Sequence, residues 1–157
     1  MRFTLAASAL MLALAVPAGG ANKRSWDFVE ADKEMVQLVY GVPDSEAVTI
    51  SFWCEAKPKR IDIVTTVLPP RLRKGQPVKT TLSNGIVTAA YAGKIGYDTA
   101  HESFHLSAST AAEPKVVSIL KSGTWLTIAI PGKQVRVPLR GIAKPLAQFE
   151  AACFGRS

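Results

Sequence analysis

The sequence predicts an all-β domain, a β-sandwich or small β-barrel of about seven to nine strands, with a short internal helix and a C-terminal helix. Three observations predict it. Residues 48–55 alternate strictly, with Val48, Ile50, Phe52 and Cys54 on one face and Thr49, Ser51, Trp53 and Glu55 on the other, the period of a strand. Turn signals, Ser83-Asn84-Gly85 and Pro131-Gly132, separate further β-branched runs. Two cysteines, Cys54 on that strand and Cys153 near the end, are placed to be joined by one disulfide.

Residues 1–21 read as a secretory signal peptide. Arg2 precedes an uncharged apolar run, 3–16, that ends in small residues at Pro17-Ala18-Gly19-Gly20-Ala21. The run is shorter than the ~20 residues a bilayer span needs, and cleavage is expected after Ala18 or Ala21. Residues 22–157 are then a single domain of ordinary size, expected in the periplasm or secreted and not transmembrane after processing.

Within it, residues 35–40 precede Gly41-Val42-Pro43-Asp44-Ser45 and pair with 48–55. Ile61, Ile63, Thr65 and Val67 give the next strand its inward face, which ends at Pro69-Pro70. Asn84-Gly85 suits a type I′ turn, because both residues tolerate positive φ, and joins 78–82 to 86–91. Phe104, Leu106 and Ala108 mark a strand over 103–108. A hairpin of 125–130 and 134–139 turns at Pro131-Gly132, which suit the two central positions of a type II turn. Pro114 opens a short helix carrying Val116, Val117, Ile119 and Leu120, and Gly123 lies beyond its end. Pro145 opens the last helix, where Leu146, Phe149 and Cys153 share one face. The acidic segment around Glu30, Asp32 and Glu34 reads as solvated.

The formal charge is +7, from 19 Lys and Arg against 12 Asp and Glu. In an exported protein such a balance points to an anionic envelope polymer, a membrane surface or an envelope protein as partner, and away from nucleic acid. Lys57, Lys59, Arg60, Arg71, Arg73, Lys74 and Lys79 flank two strands, and Arg136 and Arg140 lie on the outward side of the late strand. Two loops, near Pro58 and Pro69-Pro70, are expected to gather much of this charge at one end or edge of a sheet as a ligand-binding surface. The alternative is charge that solubilises the domain and protects strand edges. Trp53 and Trp125 face away from the core, positioned to stack on a sugar ring or to pack under a loop. Trp26 is expected to pin the first segment to the domain.

The only two histidines form His101-Glu102-Ser103-Phe104-His105, a literal H-E-x-x-H. In zinc hydrolases that spacing works on a helix, which places both imidazoles on one side with the glutamate beside the metal-bound water. Here alternating apolar positions predict a strand, on which residues four apart are separated by ~13 Å. His101 and His105 are therefore weak metal candidates. The chain has no Gly-x-Ser-x-Gly elbow, Cys-x-x-Cys pair or phosphate-binding glycine loop, so neither a catalytic residue nor a cofactor is expected.

Several segments together carry a resemblance: Leu38-Val39-Tyr40-Gly41-Val42-Pro43-Asp44-Ser45, Phe52-Trp53-Cys54, Trp125-Leu126-Thr127-Ile128, Val137-Pro138-Leu139-Arg140-Gly141, and Phe149 with Cys153. The chain resembles small exported bacterial proteins of unknown function and is distantly similar to VasI-like proteins associated with type VI secretion. The resemblance implies a β-rich, disulfide-bonded domain and transfers no catalytic residue. The expected function is a non-enzymatic periplasmic binding or accessory module for an anionic envelope component or protein partner. An envelope inhibitor of a lysozyme-like hydrolase and a zinc hydrolase built on His101, Glu102 and His105 are the alternatives.

Overall fold

The computed structural model describes residues 23–155 except 33, 56, 58 and 72. The signal segment 1–21 and its cleavage sites lie outside the described residues. Nine strands follow one another as β1 (Ser25–Glu30), β2 (Met35–Gly41), β3 (Val48–Glu55), β4 (Arg60–Thr65), β5 (Pro77–Ser83), β6 (Thr88–Asp98), β7 (Ser103–Ala111), β8 (Trp125–Ile130) and β9 (Lys133–Pro138). Helix α1 (Pro114–Lys121) separates β7 from β8, and α2 (Ala143–Phe154) ends the described chain. All strands join one antiparallel sheet in the order β1-β2-β3-β4-β7-β6-β5-β8-β9, which curls into a half-barrel.

The concave face is the core. Leu38, Ile50, Phe52, Ile61, Ile63, Leu106, Ile95, Leu82, Leu126 and Ile128 are fully buried there, as period-2 alternation on each strand requires. Both helices close it. Val116, Val117, Ile119 and Leu120 of α1 and Leu146, Phe149 and Cys153 of α2 are buried, the expected apolar faces. A Lys121–Glu150 ion pair of 2.6 Å joins the helices. Cys54 and Cys153 are disulfide-bonded, with Cα atoms 5.8 Å apart and a sequence separation of 99. Trp26 is buried and packs on Tyr40 and Phe52, with ring centroids at 5.2 and 6.5 Å. The first segment is thus pinned as expected, as strand β1, and Glu30, Asp32 and Glu34 are exposed, as expected of a solvated segment.

Two further details differ from the sequence reading. Strand β6 runs on through Tyr97 and Asp98, where glycines at 93 and 96 interrupt the apolar pattern. The Asn84-Gly85 turn is not type I′, since only Gly85 of the pair has a positive φ, +89. Instead Asn84 is buried, and its Oδ1 accepts hydrogen bonds from the backbone N–H groups of Ile86 (2.8 Å) and Val87 (2.7 Å). Its Nδ2 donates to the Ile119 carbonyl (3.0 Å) and the Ser122 hydroxyl (2.9 Å). One amide therefore shapes the hairpin and satisfies the open carbonyl end of α1. The Pro131-Gly132 turn holds to its expectation, with Gly132 at φ +78.

Because β4 lies between them, the turn before it and the connection 66–76 after it occupy opposite ends of the sheet. The connection 66–76 shares its end with the β2–β3 hairpin, the β6–β7 turn and the β8–β9 turn.

Candidate functional site

The convex face of β2, β3, β4 and β7 carries the candidate site. Gln37, Trp53 and Asp62 stand opposite one another in register, and Ser51 pairs with Val64 in the next row. All five belong to the alternation that points away from the core. Trp53 is half-buried, and its indole N–H donates to the Ser51 hydroxyl at 3.1 Å. The polar edge of the ring is thereby engaged within the protein.

Above this row lies an open pocket of about 510 Å³, within the usual size of small-ligand sites. Gln37, Ser51 and Trp53 line it on one side, and Val48 and Val64 supply apolar wall. His105 reaches it from β7. The imidazole lies across Gly96 of β6, its cross-strand partner, where a Cβ would overlap the ring. Glycine at 96 is thus what lets His105 lie flat against the sheet.

The rim is an ionic clasp. His101 sits between two carboxylates, Nδ1 at 2.7 Å from Asp98 and Nε2 at 3.0 Å from Glu46. Asp98 ends β6, and its Oδ1 also accepts the backbone N–H of Ala100 at 2.9 Å. Glu46 comes from the β2–β3 hairpin, which a register shift at Tyr40/Gly41 re-aims. The hydrogen bond to Asp98, reinforced by Glu46, raises the His101 pKa, and the same bond lowers that of Asp98. Two anions, one on each side, favour the charged form of the imidazole.

The H-E-x-x-H segment is a turn followed by a strand. Glu102 occupies the left-handed region at φ 47, which breaks any helical register between the histidines. His101 stays in the turn while His105 stands on β7, yet both line one pocket. The chain reversal brings together what a continuous strand would have held apart. Among the described residues no group of three or more His, Cys, Asp or Glu is placed to hold a metal ion.

The basic residues do not converge as expected. Lys57 and Lys59 lie exposed before β4, whereas Arg71, Arg73 and Lys74 lie exposed after it, at the opposite end of the sheet. The physical reason is that a single strand, Arg60–Thr65, runs between the two loops, about 20 Å at ~3.3 Å per residue. Arg60 is half-buried and pairs with Glu55 (2.8 Å) and Asp62 (3.1 Å). Lys79 is exposed on β5, Arg136 on β9 and Arg140 just beyond it. Pro70 lies beside Gly132 of the β8–β9 turn. Trp125 is 46 % exposed on the convex face near Arg136, away from the pocket. Sequence reasoning picked out Trp53 and, apart from it, the pair His101 and His105. It missed Gln37, Ser51, Glu46 and Asp98, which only the strand register and the hairpin shift assemble.

No family model, curated protein or solved structure matches the chain.

Proposed function

We propose that the protein is an exported, non-enzymatic binding module that takes an envelope ligand in the pocket beside Trp53. The observation that supports this best is a half-buried tryptophan on the convex face, tethered by its N–H to Ser51 and seated in an open pocket beside Gln37, Ser103 and His105. Aromatic rings that offer contact area at little entropic cost are typical anchors of binding sites. The clasp of Asp98, His101 and Glu46 ties the β6–β7 turn to the β2–β3 hairpin at the pocket rim.

The exposed Arg71, Arg73 and Lys74 support an ancillary role, in which electrostatic attraction draws the domain to anionic envelope material. Export rests on the 1–21 segment.

The reading is tested by incubating the purified domain with isolated cell-envelope fractions and sedimenting them. Wild type is expected to co-sediment in 0.3 M salt, which screens exposed charges beyond about 6 Å, and Trp53→Ala is expected to remain in solution. Equal retention of the two proteins would remove the pocket from the account.

A further inference from the structure

We infer that the Trp53 pocket takes an uncharged pyranose ring of an envelope glycan, an inference that rests on the binding-module reading above. The chemistry of the lining selects the class. A pyranose has a flat apolar face of C–H groups and an edge of hydroxyls, so it needs an aromatic platform flanked by neutral donors and acceptors. Trp53 supplies the platform with its N–H already engaged by Ser51. Gln37, Ser103 and His105 supply the edge partners. Among the described residues, none of these three side chains makes a hydrogen bond of its own, so their capacity is unspent.

Charge argues the same way. Among the described residues the pocket lining holds no lysine or arginine, so an anionic ligand finds no counter-charge. Among the described residues, carboxylates enter the lining only at the rim, where Glu46 and Asp98 share one imidazole, while Gln37, Ser51 and Ser103 are uncharged. The basic residues that give the chain its positive balance lie elsewhere, at the two ends of the sheet and along β5 and β9. Attraction to a polyanion and recognition in the pocket are therefore separable functions of separate surfaces.

The test is calorimetric titration of the domain with uncharged tetrasaccharides of N-acetylglucosamine, glucose and mannose, and with heparin as a polyanion, at 0.05 and 0.3 M salt. The expected result is binding of at least one uncharged tetrasaccharide with an affinity that changes less than twofold between the two salt concentrations. Trp53→Ala should weaken it by about tenfold or more, the scale of one lost aromatic contact, and Trp53→Phe should restore part of the loss. Gly96→Ala, which displaces the His105 ring, should weaken it by about threefold. Arg71→Ala/Arg73→Ala/Lys74→Ala should leave it unchanged while weakening heparin binding. Failure of all three uncharged sugars, together with Trp53-dependent retention on envelope fractions, would overturn the sugar assignment and leave the pocket reading standing. Failure of both would overturn both. Sugar binding that survives Trp53→Ala but is lost in the triple variant would contradict the assignment of the site.

Discussion

Trp26 donates its indole N–H to the backbone carbonyl oxygen of Pro138, 2.7 Å away, across 112 positions of sequence. The bond joins β1 to the end of β9, the two edges of a nine-stranded sheet. An open sheet leaves both edges to pair with other chains. Here one buried side chain bridges them beside the α2 side of the core. Trp26→Phe keeps much of the apolar contact with Tyr40 and Phe52 but removes the bridge. It should lower the unfolding free energy by about 2 kcal/mol, measured by urea denaturation with an unchanged m-value.

Asn84 satisfies two elements at once, which makes its replacement informative. Asn84→Ala loses the bonds to Ile86, Val87, Ile119 and Ser122 and should cost about 2–3 kcal/mol. Asn84→Asp keeps the acceptor for the hairpin N–H groups but sets a carboxylate against the carbonyl end of α1, where the helix dipole is negative. At neutral pH it should cost at least as much as the alanine variant. Acidification, which neutralises the introduced carboxylate, should narrow the gap to wild type. Denaturation curves at pH 7 and pH 4 check both points.

The Cys54–Cys153 bond closes a long loop, residues 54–153, and ties α2 to β3. Chain-entropy reasoning gives a loop of this length roughly 4–5 kcal/mol. The Cys54→Ala/Cys153→Ala variant should lose stability on that scale, with a thermal midpoint that no longer responds to reductant. Wild type should show the same loss when reduced.

His101 carries a directional pH signature. Its pKa is raised by Asp98 and Glu46, so its attraction to them is complete below the unfolded imidazole value and is lost as pH rises through the folded one. Asp98 has its pKa lowered by the same contact, so its share is complete above the unfolded carboxylate value and fades as pH falls through the folded one. The clasp is whole between those limits. NMR titration of the His101 ring should give a pKa above the ordinary imidazole value. Asp98→Asn should bring it down by more than Glu46→Gln does.

Most of the fold was legible because it obeys local rules. Strands β3 and β8 begin and end where alternation and turns place them, and the inward faces of α1 and α2 follow helical spacing. The edge strand β1 was not legible, since Asp27, Glu30 and the acids after it mask a single buried anchor, Trp26. The end of β6 was hidden by Gly93 and Gly96, whose missing side chains make room for Ser107 and His105 on β7. At the site, Trp53 and the two histidines stood out by residue type. Their partners did not, because Gln37, Ser51, Glu46 and Asp98 are ordinary polar residues that acquire meaning only through register across four strands. The basic loops misled for a related reason. Proximity in sequence on either side of a strand means separation by its full length in space.

The central claim, that recognition occurs at Trp53, is tested most directly by the indole N–H resonances of the three tryptophans. They report on the buried bridge, the pocket and the exposed face near Arg136 respectively. Titration of the ¹⁵N-labelled domain with the tetrasaccharide of highest affinity should move the Trp53 signal together with the backbone amides of Gln37 and His105. The Trp26 and Trp125 signals should stay in place. Shifts centred on Trp125 or on residues 71–74, with Trp53 unmoved, would contradict the account.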